Sequence, residues 1–324
     1  MENNKLENWL PYKLIKTGEQ LQCHWLNMYG KPFTDPFFEE TILNCKSVTP
    51  RRFVFSSVSD LAMMKEWAQG LSEVEPAALI FHISRCGSTL VSQMLAASEE
   101  HIVLSEVPFF DALLRLPYKD VHFNEAATSE LLASAINLYG QKKTGQEKRL
   151  FIKTDSWHLF FYKQLRHLYP SVPFIFIYRR PDEVFRSHRK KPGMQAVPGL
   201  IEPQVFGFKT ERKDYRGLDI YLSRVLESYF SQCLDIVATD DQFLLLNYNE
   251  GPMPMIEKIA AFTDTQLTRQ DLLKMSDRSL YHSKNPEERF IEDMVTGIPT
   301  CLDKAMELYH KLEEKRMAIY LAEG

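Results

Sequence analysis

A short polar segment between Ser84 and Thr89 carries side chains that bind anions. Arg85 supplies a positive charge, and the hydroxyl groups of Ser88 and Thr89 donate hydrogen bonds. Gly87 lets the backbone approach a ligand closely because it has no Cβ atom. The apolar residues after this segment have helical spacing, and the N–H groups of a first helical turn have no carbonyl partner within their helix. The segment therefore predicts a binding site for a phosphate-like group.

Two common kinds of phosphate-binding loop do not fit this segment. A Walker A loop, G-x-x-x-x-G-K-[ST], has a lysine after its second glycine, whereas Ser88 follows Gly87 here and no glycine lies five positions upstream. A cysteine-based phosphatase loop places an arginine six positions after its nucleophile, but the residue six positions after Cys86 is Ser92. Hydrolysis of ATP or GTP is thus disfavoured, and we interpret Cys86 as a small residue that fills the turn.

Buried strands must hold this loop and the other charged residues in place. Apolar runs predict strands at Ala77–Ile83, Ile102–Leu104, Leu150–Thr154, Pro173–Tyr178 and Phe243–Asn247. Helical patterns separate these runs, which is typical of right-handed βαβ units and of a parallel sheet covered on both faces. Ligands of such sheets bind at the carboxyl ends of the strands, where Arg85, Lys153 and Arg179 lie. The predicted fold class is α/β, with a central parallel sheet flanked by helices on both faces.

The remaining elements are predicted from helical spacing and from stop signals. The helices are a segment after Pro36, Asp60–Gln69, Thr128–Tyr139, a segment ending at Tyr169, a segment containing Ser187, Leu218–Ala238, Met255–Phe262 and Leu302–Leu321. A further strand is predicted at Gln20–Met28. Residues 190–217 contain three prolines and four glycines and predict a long irregular segment, and so does the stretch that includes YHSKNPEERF.

The composition limits the protein class. The chain has 324 residues, of which 44% are hydrophobic, so it can bury a substantial core. Its formal charge of −4 argues against a nucleic acid or a sulfated polysaccharide as partner. The five cysteines are scattered without C-x-x-C spacing, so we expect reduced thiols rather than disulfides or a zinc site. No segment resembles a signal peptide or a membrane span, and a soluble, cytoplasmic protein is predicted.

The chain is predicted to form one globular unit. Residues 1–75 mix aromatic with polar residues and carry no chemical motif, and we expect them to be an extension packed on the core. Residues 76–324 form the predicted catalytic domain. No internal repeat or long Gly/Ser linker divides the chain.

Two motifs resemble those of sulfotransferases that use 3′-phosphoadenosine 5′-phosphosulfate (PAPS). They are SRCGST at residues 84–89 and YRRPDEVFRS at residues 178–187. In that family the first loop binds the 5′-phosphosulfate, and an Arg and a Ser eight positions apart hold the 3′-phosphate, as Arg179 and Ser187 are spaced here. The resemblance covers residues 77–265 and implies a P-loop-NTPase-like sulfotransferase fold. The residues it implies for binding of PAPS or its product PAP are Arg85, Cys86, Gly87, Ser88, Thr89, Arg179, Ser187 and, in the late loop, Lys284.

The same resemblance implies a reaction, sulfuryl transfer from PAPS to an acceptor hydroxyl, phenol or amine without a metal. Arg85 would bind the phosphosulfate, and Lys153 would stabilise the bridging oxygen. Asp155 stands where cytosolic members with a Lys-Thr-His sequence have a histidine base. We therefore expect the base to be Glu106, 21 residues after Arg85, because this spacing is similar to that of the catalytic glutamate in protein-tyrosine sulfotransferases.

Structural roles compete with several of these assignments. Glu106 could instead cap the segment that follows Pro108. Asp155 is interpreted preferentially as the N-cap of the next helix, although it stays an alternative base. His82 and His158, in apolar surroundings, are interpreted as core histidines. Solvent-exposed roles are the alternatives for Lys153 at its strand end and for the Arg179 and Ser187 pair.

The sequence thus predicts a PAPS-dependent sulfotransferase of a small-molecule acceptor, a metabolite or natural product, with Glu106 as general base. Sulfation of a peptide tyrosine, a nucleotide kinase with a P-loop-like fold and a non-catalytic PAP-binding module are the alternatives. Neither a nucleic acid nor a membrane is expected as partner, and a monomer and a homodimer are both open. Acceptor specificity is expected to reside in residues 190–217 and in the N-terminal extension.

Overall fold

The structure of the protein is a computed structural model, which describes residues 8–48, 57–69, 71, 73–209, 217–281 and 297–323. A three-stranded antiparallel sheet comes first, with β1 (Trp9–Thr17), β2 (Gln20–Asn27) and β3 (Ser57–Ser59) in that order. Its strand β1 contains Pro11, and the register shifts between Pro11 and Lys13 because proline has no N–H group to donate. This shift explains why the sequence pattern predicted β2 but not β1.

A five-stranded parallel sheet forms the centre of the protein. Its strands are β4 (Pro76–His82), β5 (His101–Ser105), β6 (Arg149–Lys153), β7 (Phe174–Tyr178) and β8 (Phe243–Asn247). They lie side by side in the order β5-β6-β4-β7-β8. Every residue of β7 is buried, so both faces of the sheet are covered. The predicted α/β fold with a central parallel sheet is therefore confirmed, and all five predicted strands are present.

Twelve α-helices surround the two sheets within the described residues. They are α1 (Phe38–Val48), α2 (Leu61–Trp67), α3 (Ser88–Leu95), α4 (Pro108–Leu114), α5 (Leu116–Lys119), α6 (Glu125–Tyr139), α7 (Tyr162–Leu168), α8 (Pro181–Lys190), α9 (Leu218–Val237), α10 (Pro252–Phe262), α11 (Arg269–Ser279) and α12 (Asp303–Glu323). Short 3₁₀ turns lie at Ser156–Phe161, Met194–Ala196, Pro203–Phe206, Tyr248–Glu250 and Thr300–Leu302. None of the helices in the described part of the chain has the length and apolar character needed to cross a membrane.

Three predicted elements differ from the structure. Helix α10 begins at Pro252 rather than at Met255, since proline fits the first turn of a helix, where its missing N–H has no partner to lose. Helix α11 is not among the predicted helices, because it lies in the stretch before the last helix that was predicted to be irregular. The helix after β6 starts as the 3₁₀ turn Ser156–Phe161 and becomes α-helical only at Tyr162. Most of YHSKNPEERF, residues 210–216 and Lys284 lie outside the described residues.

The N-terminal region contacts the core through α6. The hydroxyl of Tyr139 donates a hydrogen bond of 2.6 Å to the Pro11 carbonyl, and the rings of Phe38 and Tyr139 lie 5.2 Å apart. The side chain of Phe38, the first residue of α1, is buried in this contact. These contacts hold the start of α1 beside the carboxyl edge of the central sheet, where Phe37 lines a cavity.

Candidate active site

A cavity of about 410 Å³ lies at the carboxyl edge of the parallel sheet. Because parallel strands end at the same edge, the residues that follow β4, β5 and β6 come together there. The lining residues are Phe37, Glu39, His82, Ser84, Arg85, Ser88, Thr89, Glu106, Pro108, Asp111, Asp155, Ser156, Trp157, Gly193, Met194 and Gln195. Segments distant in sequence therefore meet at one cavity of a size typical for small-molecule sites.

The loop after β4 has an unusual backbone. Ser84 and Arg85 have φ values of 64° and 54°, and Gly87 has a φ of 80°. Left-handed conformations of residues other than glycine cost about 1–3 kcal/mol each, and they cluster at functional sites. Gly87 is the N-cap of α3, and its carbonyl accepts the N–H groups of Leu90 and Val91 at 2.9 Å and 3.2 Å. The loop thus leads directly into the positive end of a helix dipole.

The side chains of this loop separate into two groups. Arg85, Ser88 and Thr89 line the cavity, and the Arg85 guanidinium donates to the Lys191 carbonyl at 2.8 Å. The Cys86 thiol is buried and donates to the carbonyl of Ile177 in β7 at 3.2 Å. Burial raises the pKa of this thiol. Cys86 therefore fills the turn, and only its backbone belongs to the anion-binding loop.

Glu106 lines the cavity and forms an ion pair with Lys153, which lies behind the cavity wall. Glu106 follows β5 with a φ of 54°, and its N–H donates to the Lys153 carbonyl at 2.8 Å. Nζ of Lys153, whose side chain is completely buried, donates to Oε1 of Glu106. Burial raises the pKa of Glu106, but the charge of Lys153 and the hydrogen bond from His82 outweigh it and hold this pKa well below its ordinary value. Lys153 is thus not a solvated lysine.

The backbone around Glu106 argues against a capping role for its side chain. The N-cap residue of α4 is Val107, not Glu106. The Glu106 side chain is 23% exposed and lines the cavity. Its carboxylate therefore faces the space where a ligand would lie.

His82 contacts the same carboxylate. The Ser84 N–H donates to Nδ1 of His82 at 3.0 Å, so Nδ1 is an acceptor and the proton resides on Nε2. Nε2 lies 3.0 Å from the Thr154 carbonyl and 3.4 Å from Oε1 of Glu106. Burial and the charge of Lys153 lower the pKa of His82, which keeps the ring neutral. His82 is therefore a buried, hydrogen-bonded histidine, as the sequence predicted, although its surroundings are polar and it also lines the cavity.

A second polar network, around Asp111, forms another part of the cavity wall. Oδ1 of Asp111 accepts the Trp157 indole N–H at 2.6 Å and Nε2 of His158 at 3.1 Å. Oδ2 of Asp111 accepts a guanidinium N–H of Arg115 at 2.9 Å, and Arg115 also binds Glu202 at 2.6 Å. Burial raises the pKa of Asp111, but these donors and the Arg115 charge lower it overall. His158 is therefore a buried, hydrogen-bonded histidine, as the sequence predicted, but its surroundings are polar rather than apolar.

Asp155 lies between the two networks. It is the N-cap residue of the 3₁₀ turn, as expected from the sequence, and its N–H donates to Nδ1 of His158 at 3.3 Å. Its carboxyl lies 3.7 Å from Nε2 of His158, and among the described residues it has no ion pair with a lysine or an arginine. Burial, together with the charges of Glu106 and Asp111, raises the pKa of Asp155 well above its ordinary value.

Residue type alone would allow a metal at this wall. One ligand atom from each of Asp111, Asp155 and His158 lies within 4.8 Å of the others. However, Nδ1 of His158 accepts a backbone N–H, so its Nε2 carries the proton that it shares with Asp111. As arranged, the three residues form a hydrogen-bond network, and the prediction that no metal is needed stays a prediction.

The predicted 3′-phosphate residues lie apart from this cavity. Arg179 is half-buried and donates to Glu183, and Ser187 is half-buried on α8. Neither residue lines the cavity, and Lys284 is outside the described residues.

Tyr248, a residue to which the sequence analysis gave no role, connects the two regions. The Arg179 guanidinium lies 4.6 Å from the centre of its ring. A Cβ atom added at Gly87 would lie only 2.4 Å from carbons of the same ring. The only signal for Tyr248 in the sequence was its position directly after β8, at a strand end.

Comparison with known proteins gives one family. A sequence model described as "Sulfotransferase family" matches residues 76–269. No curated protein sequence matches the chain. Among solved structures, sulfotransferase STF9 from Mycobacterium avium has 14% sequence identity, with a TM-score of 0.49 over 81% of this chain and 80% of that chain. The sulfotransferase domain from the curacin biosynthetic pathway has 13% identity, with a TM-score of 0.47 over 75% of this chain and 99% of that domain.

Proposed function

The chain belongs to the sulfotransferase family, and on that premise we propose that it transfers a sulfuryl group from PAPS to a hydroxyl or amine of a small-molecule acceptor. PAP is the second product. The observation that carries the proposal is the convergence, at one cavity, of an anion-binding loop with an ion pair of a carboxylate and an ammonium. The loop suits the donor, and the ion pair supplies the two groups that a sulfuryl transfer needs.

The residues of the loop fit a phosphosulfate. Arg85, the hydroxyls of Ser88 and Thr89, and the N-terminus of α3 are all donors or positive charges that face one end of the cavity. Arg179 and Ser187 would hold the 3′-phosphate. Tyr248 would fix the position of Arg179 relative to the anion-binding loop through its contacts with Arg179 and Gly87. When bound, PAPS supplies a sulfuryl group and a phosphate leaving group.

The reaction is an in-line displacement at sulfur. The acceptor oxygen forms a bond to sulfur while the bond from sulfur to the bridging oxygen breaks, and the electron pair of that bond stays on the phosphate of PAP. Lys153 and Arg85 would stabilise this developing negative charge, which is usually the largest contribution in such reactions. Glu106 would take the acceptor proton, an effect of about 10² to 10⁴ in rate.

The ion pair suggests how Glu106 becomes a competent base. While Lys153 contacts Glu106, the low pKa of this carboxylate makes it a weak base. Negative charge on the leaving oxygen competes for the same ammonium, and a Lys153 that turns towards it releases Glu106. The Ser84 N–H fixes the tautomer of His82, so its Nε2 proton stays beside both the Thr154 carbonyl and the Glu106 carboxylate. We propose Glu106 rather than Asp155 as base because Glu106 contacts Lys153.

Differential stabilisation by nucleotides tests this proposal. PAP at about 100 times its dissociation constant stabilises the fold by about 2.7 kcal/mol. For a chain of 324 residues that corresponds to a rise of roughly 4 °C in Tm. ATP with magnesium and NAD at the same concentration are expected to have little effect. Arg85→Ala should reduce the PAP shift, whereas Lys65→Ala, which removes an exposed ion pair with Glu130, should not. Equal shifts with the three nucleotides would contradict the proposal.

A further inference from the structure

Carboxyl groups outnumber positive charges among the residues that line the cavity. Of the described residues that line the cavity, Glu39, Glu106, Asp111 and Asp155 carry carboxyls, and Arg85 is the one that carries a permanent positive charge. Arg85 lies in the anion-binding loop, so its charge belongs to the donor end. An anionic acceptor would therefore meet more carboxyls than positive charges on the residues that line the cavity.

Two of the four carboxylates already have positive partners behind the cavity wall. Lys153 donates to Glu106, and Arg115 donates to Asp111 at 2.9 Å. Each of these pairs is structurally complete without a ligand.

Asp155 has no such partner. Its carboxyl is 12% exposed, and the carboxylates of Glu106 and Asp111 act on it more strongly than the opposing charges of Lys153 and Arg115. The nearest basic side chain is His158, whose Nε2 proton is directed at Asp111. Burial and these two carboxylates raise the pKa of Asp155, and a positive charge that binds beside it would lower this pKa again and favour the ionised carboxylate. Glu39, which is exposed in the first turn of α1, adds a fourth carboxyl at the cavity.

The apolar part of the wall also suits a cation. Phe37 and Trp157 present aromatic rings to the cavity, and aromatic faces attract ammonium groups. Pro108 and Met194 provide the remaining apolar surface. A volume of about 410 Å³, shared with the end of the donor, leaves room for a small acceptor.

We infer that the acceptor carries a positively charged amine in addition to the group that receives the sulfuryl, and that Asp155 binds this ammonium with help from Glu39. The inference rests on the proposed function, since it names the acceptor class of the same site. With the donor bound, Arg85 and Lys153 are engaged by phosphosulfate, and the cationic acceptor supplies the charge that the remaining carboxyls lack.

Three phenols with the same two-carbon side chain, which ends in an ammonium, in hydrogen or in a carboxylate, test the inference. Tyramine, 4-ethylphenol and 3-(4-hydroxyphenyl)propanoate share the phenol and carry an ammonium, no charge and a carboxylate. We measure their binding to the PAP-loaded protein by calorimetry and their sulfation with PAPS. A hydrogen bond between charged groups favours tyramine over 4-ethylphenol by about tenfold to hundredfold in Kd and in kcat/KM. The carboxylate is expected to be the poorest of the three.

The matched variants are Asp155→Asn and Asp60→Asn. Asparagine caps a helix as well as aspartate does, so both variants keep their helix starts. Asp60 is the N-cap of α2, where it accepts the Met63 N–H at 2.7 Å, and it does not line the cavity. Asp155→Asn should reduce the ratio of tyramine to 4-ethylphenol about tenfold or more. Asp60→Asn should leave that ratio unchanged, and Glu39→Gln should reduce it less than Asp155→Asn does.

The outcomes separate the inference from the proposed function. Equal binding of the three phenols, or a preference for tyramine that survives Asp155→Asn, overturns the inference even if product forms. Stable PAP binding with a preference for tyramine that Asp155→Asn removes supports it. Absence of sulfated product from every acceptor, together with absence of PAP binding, overturns the proposed function and with it the inference.

Discussion

The two ends of the cavity are built in different ways. The donor end is made by one continuous loop, residues 84–89, which is fixed by the central strand β4 and the start of α3. The acceptor end is assembled from separate elements: Phe37 and Glu39 at the start of α1, Asp111 in α4, and Trp157 and Met194 in two different 3₁₀ turns. The first carries positive charge and backbone N–H groups, whereas the second carries carboxyls and aromatic rings. Under the proposed function, the core of the fold would bind the donor and the peripheral elements would select the acceptor.

The largest effect is expected where the two ends meet. Glu106→Gln should lower sulfuryl transfer by about 10² to 10⁴ for every acceptor, because the proton acceptor is lost. The stabilisation by PAP should persist, since Glu106 does not belong to the donor loop. Steady-state rates and PAP-induced Tm shifts measure the two properties, with Glu130→Gln, an exposed glutamate paired with Lys65, as control. Loss of PAP binding in Glu106→Gln would show that the two ends are not separable.

Arg85→Ala should affect the donor end alone. Removal of a positive donor at a developing charge costs about 10² to 10³ in kcat. The loss should be the same for cationic and neutral acceptors, because we propose that the ammonium binds Asp155 and Glu39 rather than the donor loop. Rates with tyramine and 4-ethylphenol measure it, and a loss confined to one of these acceptors would place Arg85 at the acceptor end.

Gly87→Ala tests how closely the donor loop is packed. The new Cβ would lie 2.4 Å from the Tyr248 ring, and the φ of 80° adds backbone strain. PAP affinity should fall about tenfold or more, since 1.4 kcal/mol corresponds to a factor of ten. Gly145→Ala is the matched control, because Gly145 has a φ of 82° but no atom within 4 Å of its added Cβ. Equal effects of the two substitutions on PAP affinity would contradict a role for the contact with Tyr248.

The smallest effect concerns the pH dependence of stability at the acceptor end. The pKa of Asp155 is raised in the folded protein, so its contribution to stability is complete below the unfolded pKa of about 3.9 and is lost as pH rises through the folded pKa. Asp155→Asn does not ionise. Its Tm relative to the wild type should therefore increase between about pH 4 and pH 8.

Each unit of elevation in the folded pKa of Asp155 corresponds to about 1.4 kcal/mol at high pH. Thermal unfolding across this range measures the difference between the variant and the wild type. Asp111→Asn is the counterpart of opposite sign. The folded pKa of Asp111 is lowered, so its stabilisation is present above the unfolded pKa and is lost as pH falls through the folded value. Parallel pH profiles of the two variants would contradict the assigned charge states.

The donor end could be predicted from sequence because its information is local. An apolar run, a polar segment with Gly87 and a helical pattern follow one another directly, and each predicts its own element. Strand ends then predicted that Lys153 would lie near Arg85. The acceptor network could not be predicted, because two partners of Asp111, Trp157 and His158, are 46 and 47 residues away in sequence. They meet Asp111 only after the elements pack together.

Two further differences from the prediction concern helix α11, which has a local cause in the sequence, and Tyr248, which has none. Helix α11 begins with a reciprocal capping box, in which Thr268 and Asp271 exchange hydrogen bonds of 3.0 Å and 3.1 Å. A threonine followed three residues later by an acidic residue is a known helix start. Tyr248 had no local signal beyond its position after β8, since its contacts with Gly87 and Arg179 depend on the order of the strands.

The most direct test is transfer of labelled sulfuryl from PAPS. Wild-type protein, Arg85→Ala and Glu106→Gln are each incubated with labelled PAPS and an acceptor panel that includes tyramine, and sulfated product is counted. The wild type should form labelled product, and both variants should form it at least about a hundredfold more slowly. No labelled product from the wild type with any acceptor, or labelling that survives both substitutions, would contradict the assignment of this cavity.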